Sequence, residues 1–508
     1  MGKRLDKVLD VLSSEKRRLR EEALRAYRSS DHWKKQINNL SGGYYRGNRK
    51  GRMLGEWSTT GADANEMLSH SISDLRNDSH DLFVNNPIAT GIVNTYVTNV
   101  VGAGLSLCPA VDHEFLGMTE DEADALHKQI NREWKLFTKN CDITRQSSWP
   151  EQQQVVLRTA ILSGDIFANL PLIKRKHTPY ETAVNLIEGH RVCNPNNTPD
   201  TDSQIMGIEI DSNGTPKQYH YYKGTRLKKT WDKLKAFDSN GDRLVLHIFR
   251  KWRTNQMRGA PLLAPIIEVV KKLDTYSQAE VDAAVINAFF TVFIKKKSSG
   301  ENPLDVVTNM GDETGATGSD KDLKLGSGLI VELFDDEEGI DVADPNRPNQ
   351  NFEAFFRAIV SEIAVGVNLP YEIVMKQFQS SYSASRGAII EAIKVFNEWE
   401  NFLVTEFCQP VYEAFFQEAV IKGRIDAPKF FDDPLAKMAY CNAEWIGQEQ
   451  AELDPMKAAN AAEKRIKIGI SNEIIETQAR GRDYANVVSG QKRAKRLRGE
   501  DARSVTTD

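Results

Sequence analysis

The chain has 508 residues, 40% hydrophobic and 27% charged, a balance that excludes wholesale disorder and fits a soluble globular protein of two or more domains. Its five cysteines (Cys108, Cys141, Cys193, Cys408 and Cys441) are far apart and form no CxxC, which excludes a disulfide frame or a zinc site and reads as reduced thiols. The net charge of −5 is uneven: residues 1–52 hold 15 Lys/Arg against 6 Asp/Glu, a net of +9, so the rest carries −14.

The chain opens Met1-Gly2-Lys3-Arg4 and continues with charged residues, so no signal peptide is expected. Residues 3–28 place Leu5, Val8, Leu9, Leu12, Leu19, Leu24 and Tyr27 near one helical face, with Arg17, Arg18, Arg20 and Arg25 opposite. A basic arm on an acidic body suggests a nucleic-acid or acidic partner; a solvated helix face is the alternative. Residues 41–62 read as a Gly/Ser/Thr-rich linker.

A helical segment is expected from Ser69 to Val101, its second half starting at Asn85-Asn86-Pro87. Ile88 to Val111 is uncharged and long enough to cross a bilayer, but Thr90, Asn94, Thr95, Thr98 and Asn99 argue for a buried element instead. Residues 150–260 read as β-rich: short apolar runs at 170–173, 183–187 and 205–210, turn signals at 211–214 and 239–242, and a strand at 244–249. From Pro261 to about Ile294 apolar residues recur at helical spacing, a helix of about 50 Å if unbroken. Residues 295–347 are irregular. Phe352 to Val367 reads as a helix stopped by Asn368-Leu369-Pro370, and Ser385 to Cys408 as another, ended or kinked by Pro410. Helices are expected over 450–480, and a basic, disordered tail from 490.

Few patterns carry chemistry. There is no G-x-x-x-x-G-K-[ST] loop and no G-x-S-x-G elbow, and Gly102-Ala103-Gly104 lacks the third glycine of a dinucleotide fingerprint. Asp238, Asn240 and Asp242 mimic the start of a calcium loop, but Arg243 and Phe249 occupy its glycine and glutamate positions. No histidine follows His247. An acidic run contains Glu332, Asp335, Asp336, Glu337 and Glu338, with no Lys or Arg between Lys324 and Arg347. It reads as a solvated loop, as an Mg²⁺ site of a nuclease, or as a wall that repels phosphates and lets DNA slide. The loop from Lys376 to Ser385 mixes one cation, amides, hydroxyls and two aromatics without Gly or Pro, and interhelical loops of this length are often functional.

Several short motifs recur in a set order: Asn85-Asn86-Pro87-Ile88-Ala89, Val100 to Leu105, Glu188-Gly189-His190-Arg191-Val192, Arg258-Gly259-Ala260-Pro261-Leu262, Ala343 to Asn349, Asn368-Leu369-Pro370-Tyr371-Glu372, Tyr382-Ser383-Ala384-Ser385-Arg386, Asp454 to Asn460 and Gly481-Arg482-Asp483. In this order and spacing the chain resembles the lambda-type family of phage portal proteins over roughly residues 65–490. It departs from the family pattern at Glu444-Trp445-Ile446-Gly447-Gln448, where members tend to carry a Trp-Pro-rich segment.

The resemblance implies an α+β portal fold with α/β wing, helical stem, small β-containing clip, tunnel loop and helical crown, and a dodecameric ring around an axial channel. Mapped here, residues 1–64 are the arm and linker, 65–260 the wing, 261–297 a long wing and stem helix, and 298–350 the clip. Residues 351–368 are the stem helix, 369–385 the tunnel loop, 386–420 the tunnel helix, 421–489 the crown and 490–508 the tail. The loop residues facing DNA are then Met375, Lys376, Gln377, Phe378, Gln379, Ser380, Ser381 and Tyr382, and the acidic run lies in the clip. No catalysis and no cofactor is implied. The implied partners are other copies of the chain, double-stranded DNA, the terminase large subunit, capsid and scaffold proteins and a head-tail adaptor, with no membrane. The implied location is the virion, and the host cytoplasm during assembly. A metal-dependent enzyme of DNA processing and a non-ring adaptor or scaffold are the alternatives.

Overall fold

The computed structural model describes residues 63–225, 228–293, 352–378, 381–448 and 455–498. The basic arm with Arg17, Arg18, Arg20 and Arg25, the linker and the acidic run from Glu332 to Glu338 lie outside the described residues.

Two helices open the body, α1 (Ala64–Asn85) and α2 (Pro87–Val100). Asn86 separates them: its extended backbone breaks the ladder, its carboxamide oxygen accepts from Ala89 N at 2.9 Å, and Pro87 fits the first helical position. The run Ile88–Val111 is thus a 14-residue helix followed by a turn and strand β1 (Ser106–Pro109). No helix among the described residues is long and apolar enough to cross a membrane.

Next come α3 (His113–Leu116), α4 (Glu120–Thr138) and α5 (Trp149–Ser163). The sequence reading did not single out α4, and the first part of the stretch expected to be β-rich is helix α5. Both start on reciprocal caps, Thr119 with Glu122 and Ser148 with Glu151. Every strand pairs antiparallel. Strands β2 (Asp165–Asn169), β3 (Asn185–Glu188) and β8 (Val245–Phe249) form a three-stranded sheet in the order β3-β2-β8. Strands β4 (Gln204–Ile205), β5 (Ile208–Ile210), β6 (Pro216–Gly224) and β7 (Lys229–Lys235) form a four-stranded meander. The apolar run at 170–173 lies just past β2 and forms an isolated bridge from Leu172 to Thr182, flanked by Ile173 N on Glu181 O and Ala183 N on Pro171 O. At 238–242 a turn forms: Asp238 Oδ1 accepts from Asn240 N and Asp242 N, so the carboxylate serves its own backbone.

The long helix α6 (Ile267–Phe293) begins six residues after Pro261, behind a 3₁₀ turn. Helix α7 (Phe352–Gly366) is followed by a short helix α8 (Tyr371–Met375) and then α9 (Tyr382–Leu403). Pro410 does not end this rod. A π-helical turn at Val404–Cys408 precedes it, and α10 (Gln409–Ile421) carries the proline in its first turn, where no backbone donor is needed. Helix α11 (Pro434–Cys441) leads to β9 (Ala443–Ile446), which pairs with β1. Thus the segment that departs from the family pattern is an edge strand, with Trp445 against Trp134 and Tyr412. Helices α12 (Pro455–Lys467), α13 (Glu473–Gln478) and α14 (Tyr484–Arg498) finish the described chain. The tail expected to be disordered from 490 is helical through Arg498; α12, α13 and α14 bury no residue.

One large core joins the helices, and a smaller one joins the sheets through Phe167, Ile187, Ile208, Tyr219, Tyr221 and Val245. At the centre of the first, Tyr96 on α2 donates to Val367 O at 2.5 Å and packs edge-on against Phe396 and Trp399 of α9. Through this side chain α2 holds the end of α7 and the flank of α9, the two longer helices on either side of the segment 367–381.

Candidate nucleic-acid interface

The interhelical loop is shorter than the sequence suggests. Of the span 369–385, Tyr371 to Met375 is helix, and α9 starts at Tyr382. Met375, expected to face DNA, is half-buried and packs on the helical core. Tyr382 belongs to the first turn of α9, where it is 54% exposed. Between them Lys376 adopts φ +54°, the left-handed cap of α8, with its backbone N–H on Glu372 O. Gln377 N also donates to Glu372 O, at 3.1 Å. The side chains of Lys376, Gln377 and Phe378 are exposed, Phe378 by 50%. Gln379 and Ser380 lie outside the described residues. Ser381 caps α9 by accepting from Ala384 N at 3.4 Å.

This loop stands on firm supports. Val374 is buried below it, and Arg357 of α7 stacks over the Tyr371 ring at 5.1 Å. A cleft of about 150 Å³ beside it is lined by Glu353, Arg357, Glu372, Met375 and Gln377. The exposed set offers one cation, one amide and two aromatic rings, a group that can touch phosphate or a neighbouring chain without a pocket of its own.

The strongest electrostatic feature lies elsewhere and was not visible in the sequence. Asp165, at the start of β2, is fully buried. It receives Arg76 of α1 at 2.7 Å, Arg258 at 2.5 Å and His247 of β8 at 3.4 Å. Arg258 also donates to Val192 O, Met206 O and Gly189 O, and Arg76 to Ser163 O. Burial alone would raise the Asp165 carboxyl, but the Arg258 and Arg76 guanidiniums outweigh it and hold it well below the usual carboxylate range. Burial lowers Arg76 to about 10. Burial also pushes His247 down to about 4, against the pull of Asp165, so its imidazole is neutral at neutral pH. The ring stacks between Phe167 and Phe249 at 4.1 and 4.2 Å. Deeply buried, this cluster ties α1, one end of the three-stranded sheet and the 258–260 segment together.

The sequence motifs map onto such junctions. Arg258 is the hub just described, and a Cβ on the neighbouring Gly259 would lie 1.9 Å from Gly164 O. Gly189 faces Asp165, where a Cβ would lie 1.9 Å from its carboxylate. Asn86 donates to Asp274 of α6 at 2.6 Å besides capping α2. Asn368 sits at φ +57° beside the carbonyl that Tyr96 holds. Among the described residues no group of three or more His, Cys, Asp or Glu could hold a metal, and all five cysteines are free thiols.

A mixed helix and antiparallel-strand body with buried charges at its junctions and an exposed loop between two long helices defines the class: an α+β protein that presents surfaces. The family model for phage portal proteins of the lambda family matches residues 50–400, and the chain belongs to that family. It is 22% identical over 480 residues to portal protein B of Escherichia phage lambda, covering 90% of each chain. It is 22% identical over 485 residues to the portal protein of Escherichia phage N15, covering 91% of each. Among solved structures it is similar to a chain in the virion of a native gene transfer agent particle, at 12% identity and TM-score 0.38, covering 86% of this chain and 94% of that one. A chain in the neck of the native particle, computed with C12 symmetry, gives 11% identity and TM-score 0.35, with 80% and 92% covered.

Proposed function

We propose that the protein is one subunit of a closed ring at a capsid vertex, through which double-stranded DNA enters and leaves the head, and that it performs no catalysis. The family match over residues 50–400 carries this reading. In it, residues 65–260 form the wing, 261–297 and 351–368 the wing and stem helices, 298–350 the clip and 421–489 the crown. The clip docks the terminase large subunit during packaging and the head-tail adaptor afterwards. Capsid and scaffold proteins surround the ring in the host cytoplasm. Residues 376–382 face the channel, where Lys376 meets phosphate and Gln377, Gln379, Ser380 and Tyr382 make weak polar contacts. The exposure of Lys376, Gln377, Phe378 and Tyr382 on a loop held by two core-packed helices supports this. A neutral hydrogen bond that exchanges with water nets only about 1 kcal/mol, so such contacts break as DNA slides.

Mass photometry of the purified chain at micromolar concentration, at low and moderate salt, tests the reading. Closed rings with a hole wide enough for duplex DNA are expected. Monomers or dimers in every condition would sink it and favour an adaptor. A Mg²⁺-dependent nuclease activity that disappears when Asp335, Asp336, Glu337 and Glu338 become Asn or Gln would instead establish the enzyme.

A further inference from the structure

The β6–β7 hairpin departs from the charge of the rest of the body. Residues 216–235 contain seven Lys/Arg and one acid, Asp232, a net of +6, within a segment from residue 53 onward whose net is −14. Among the described residues, two of these cations are in ion pairs, Lys223 with Asp232 at 2.8 Å and Lys233 with Glu209 at 2.9 Å; Arg226 lies outside the described residues. Lys217, Lys228 and Lys235 are exposed, and Lys229 is half-buried.

Topology concentrates this charge. Strand β7 is the edge of its sheet, paired only with β6. Side chains alternate along a strand, so Lys229, Trp231, Lys233 and Lys235 share one side, while Leu234 turns to the small core with Tyr219 and Ile208. Lys229 lies over the Tyr222 ring at 4.5 Å and the Trp231 ring at 5.8 Å, which lays its charge along the surface.

We infer that this lysine ridge is a second polyanion-binding surface, and that its ligand is the phosphate backbone of duplex DNA. It lies on a different element from the loop at 376–381 and does not depend on that loop. The ridge has the chemistry of sequence-neutral phosphate contact: point charges on flexible stems, spread along an edge strand, with the Tyr222 and Trp231 rings covered by Lys229. An acidic protein partner needs buried anchors as well as charge, and among the described residues of this face the large aromatic side chain, Trp231, is half-buried beneath Lys229. Lysines on an exposed strand edge also discourage edge-to-edge pairing, so the test must separate the two roles.

The full chain is compared with a variant carrying Lys228, Lys229 and Lys235→Gln, using fluorescence anisotropy with a short duplex over a range of salt. The expected result is weaker binding and a salt slope shallower by about 0.9 for each phosphate contact removed, with particle mass by photometry unchanged. Poly-glutamate is tested alongside. An unchanged DNA slope overturns the inference. So does loss of poly-glutamate binding with DNA binding intact, which would assign an acidic partner. Self-association of the variant with an unchanged DNA slope would assign the lysines to edge protection and also overturn it. The ring proposal is read from particle mass alone, so either reading can fail without the other.

Discussion

Asp165 shows how much one residue can hold. Its carboxylate is the shared acceptor of two buried guanidiniums, so removing its charge leaves two buried cations unmatched. Breaking a buried pair in this way costs about 3–5 kcal/mol. Asp165→Asn should therefore lower the denaturation midpoint sharply, while Lys223→Ala, which breaks an exposed pair, should cost at most about 1 kcal/mol. Equal effects in chemical denaturation would show that the network is not a keystone. His247 supplies a second measurement. Folded, it titrates near 4; unfolded, near 6.5, so as pH falls below 6.5 the unfolded chain takes up a proton that the folded chain refuses. Stability is thus full above about pH 6.5, falls between 6.5 and 4, and loses roughly 3 kcal/mol from this group by pH 4. His247→Phe, keeping the stack with Phe167 and Phe249, should flatten that part of the acid limb. A residual slope is expected from His80 and His127, whose values burial also lowers. An acid limb identical to that of the parent would rule out His247 as its source.

At the scale of elements, the junction from α7 through α8 to α9 decides what the loop can do. Val374 and the half-buried Met375 fix one side, Ser381 fixes the other, and Lys376 to Phe378 are left outside. Lys376→Glu should leave particle mass unchanged and reduce the yield of DNA-filled heads in a packaging assay. Phe378→Ala should disturb assembly only if its exposed ring packs on a neighbouring subunit. An unaltered yield after replacing 376–382 with a Gly/Ser loop would show that the loop does not handle DNA. Much at this scale was legible beforehand. Asn86-Pro87 and Asn368-Leu369-Pro370 mark helix boundaries by local chemistry, and both boundaries stand where expected. The start of α5 carried an equally local signal, Ser148-Trp149-Pro150-Glu151, which pairs a cap with a proline in the first turn. The apolar runs downstream of it drew the reading toward strands. Pro410 does not end the helix, because a π turn at Val404–Cys408 just before it leads into a further helix that carries the proline in its first turn.

For the molecule as a whole, charge is divided unevenly along the chain. Deleting residues 1–52 removes a net of +9 from the sequence. If the arm meets nucleic acid, the deletion should preserve ring formation and flatten the salt dependence of DNA binding, because fewer contacts release fewer counterions. Loss of assembly on deletion would make the arm structural. The sequence by itself determined the family, through motifs whose order is specific even where each is weak. It also determined the main helix boundaries and turns, because caps, prolines and turn carboxylates act within a few residues of themselves. Only the tertiary structure decided which charges are buried. Arg76, Asp165, His247 and Arg258 are separated by up to 182 positions in the chain, and nothing local marks them as partners. It also decided that Lys229, Lys233 and Lys235 line one side of a sheet-edge strand, since alternation tells which side a lysine takes only once its strand has found a neighbour.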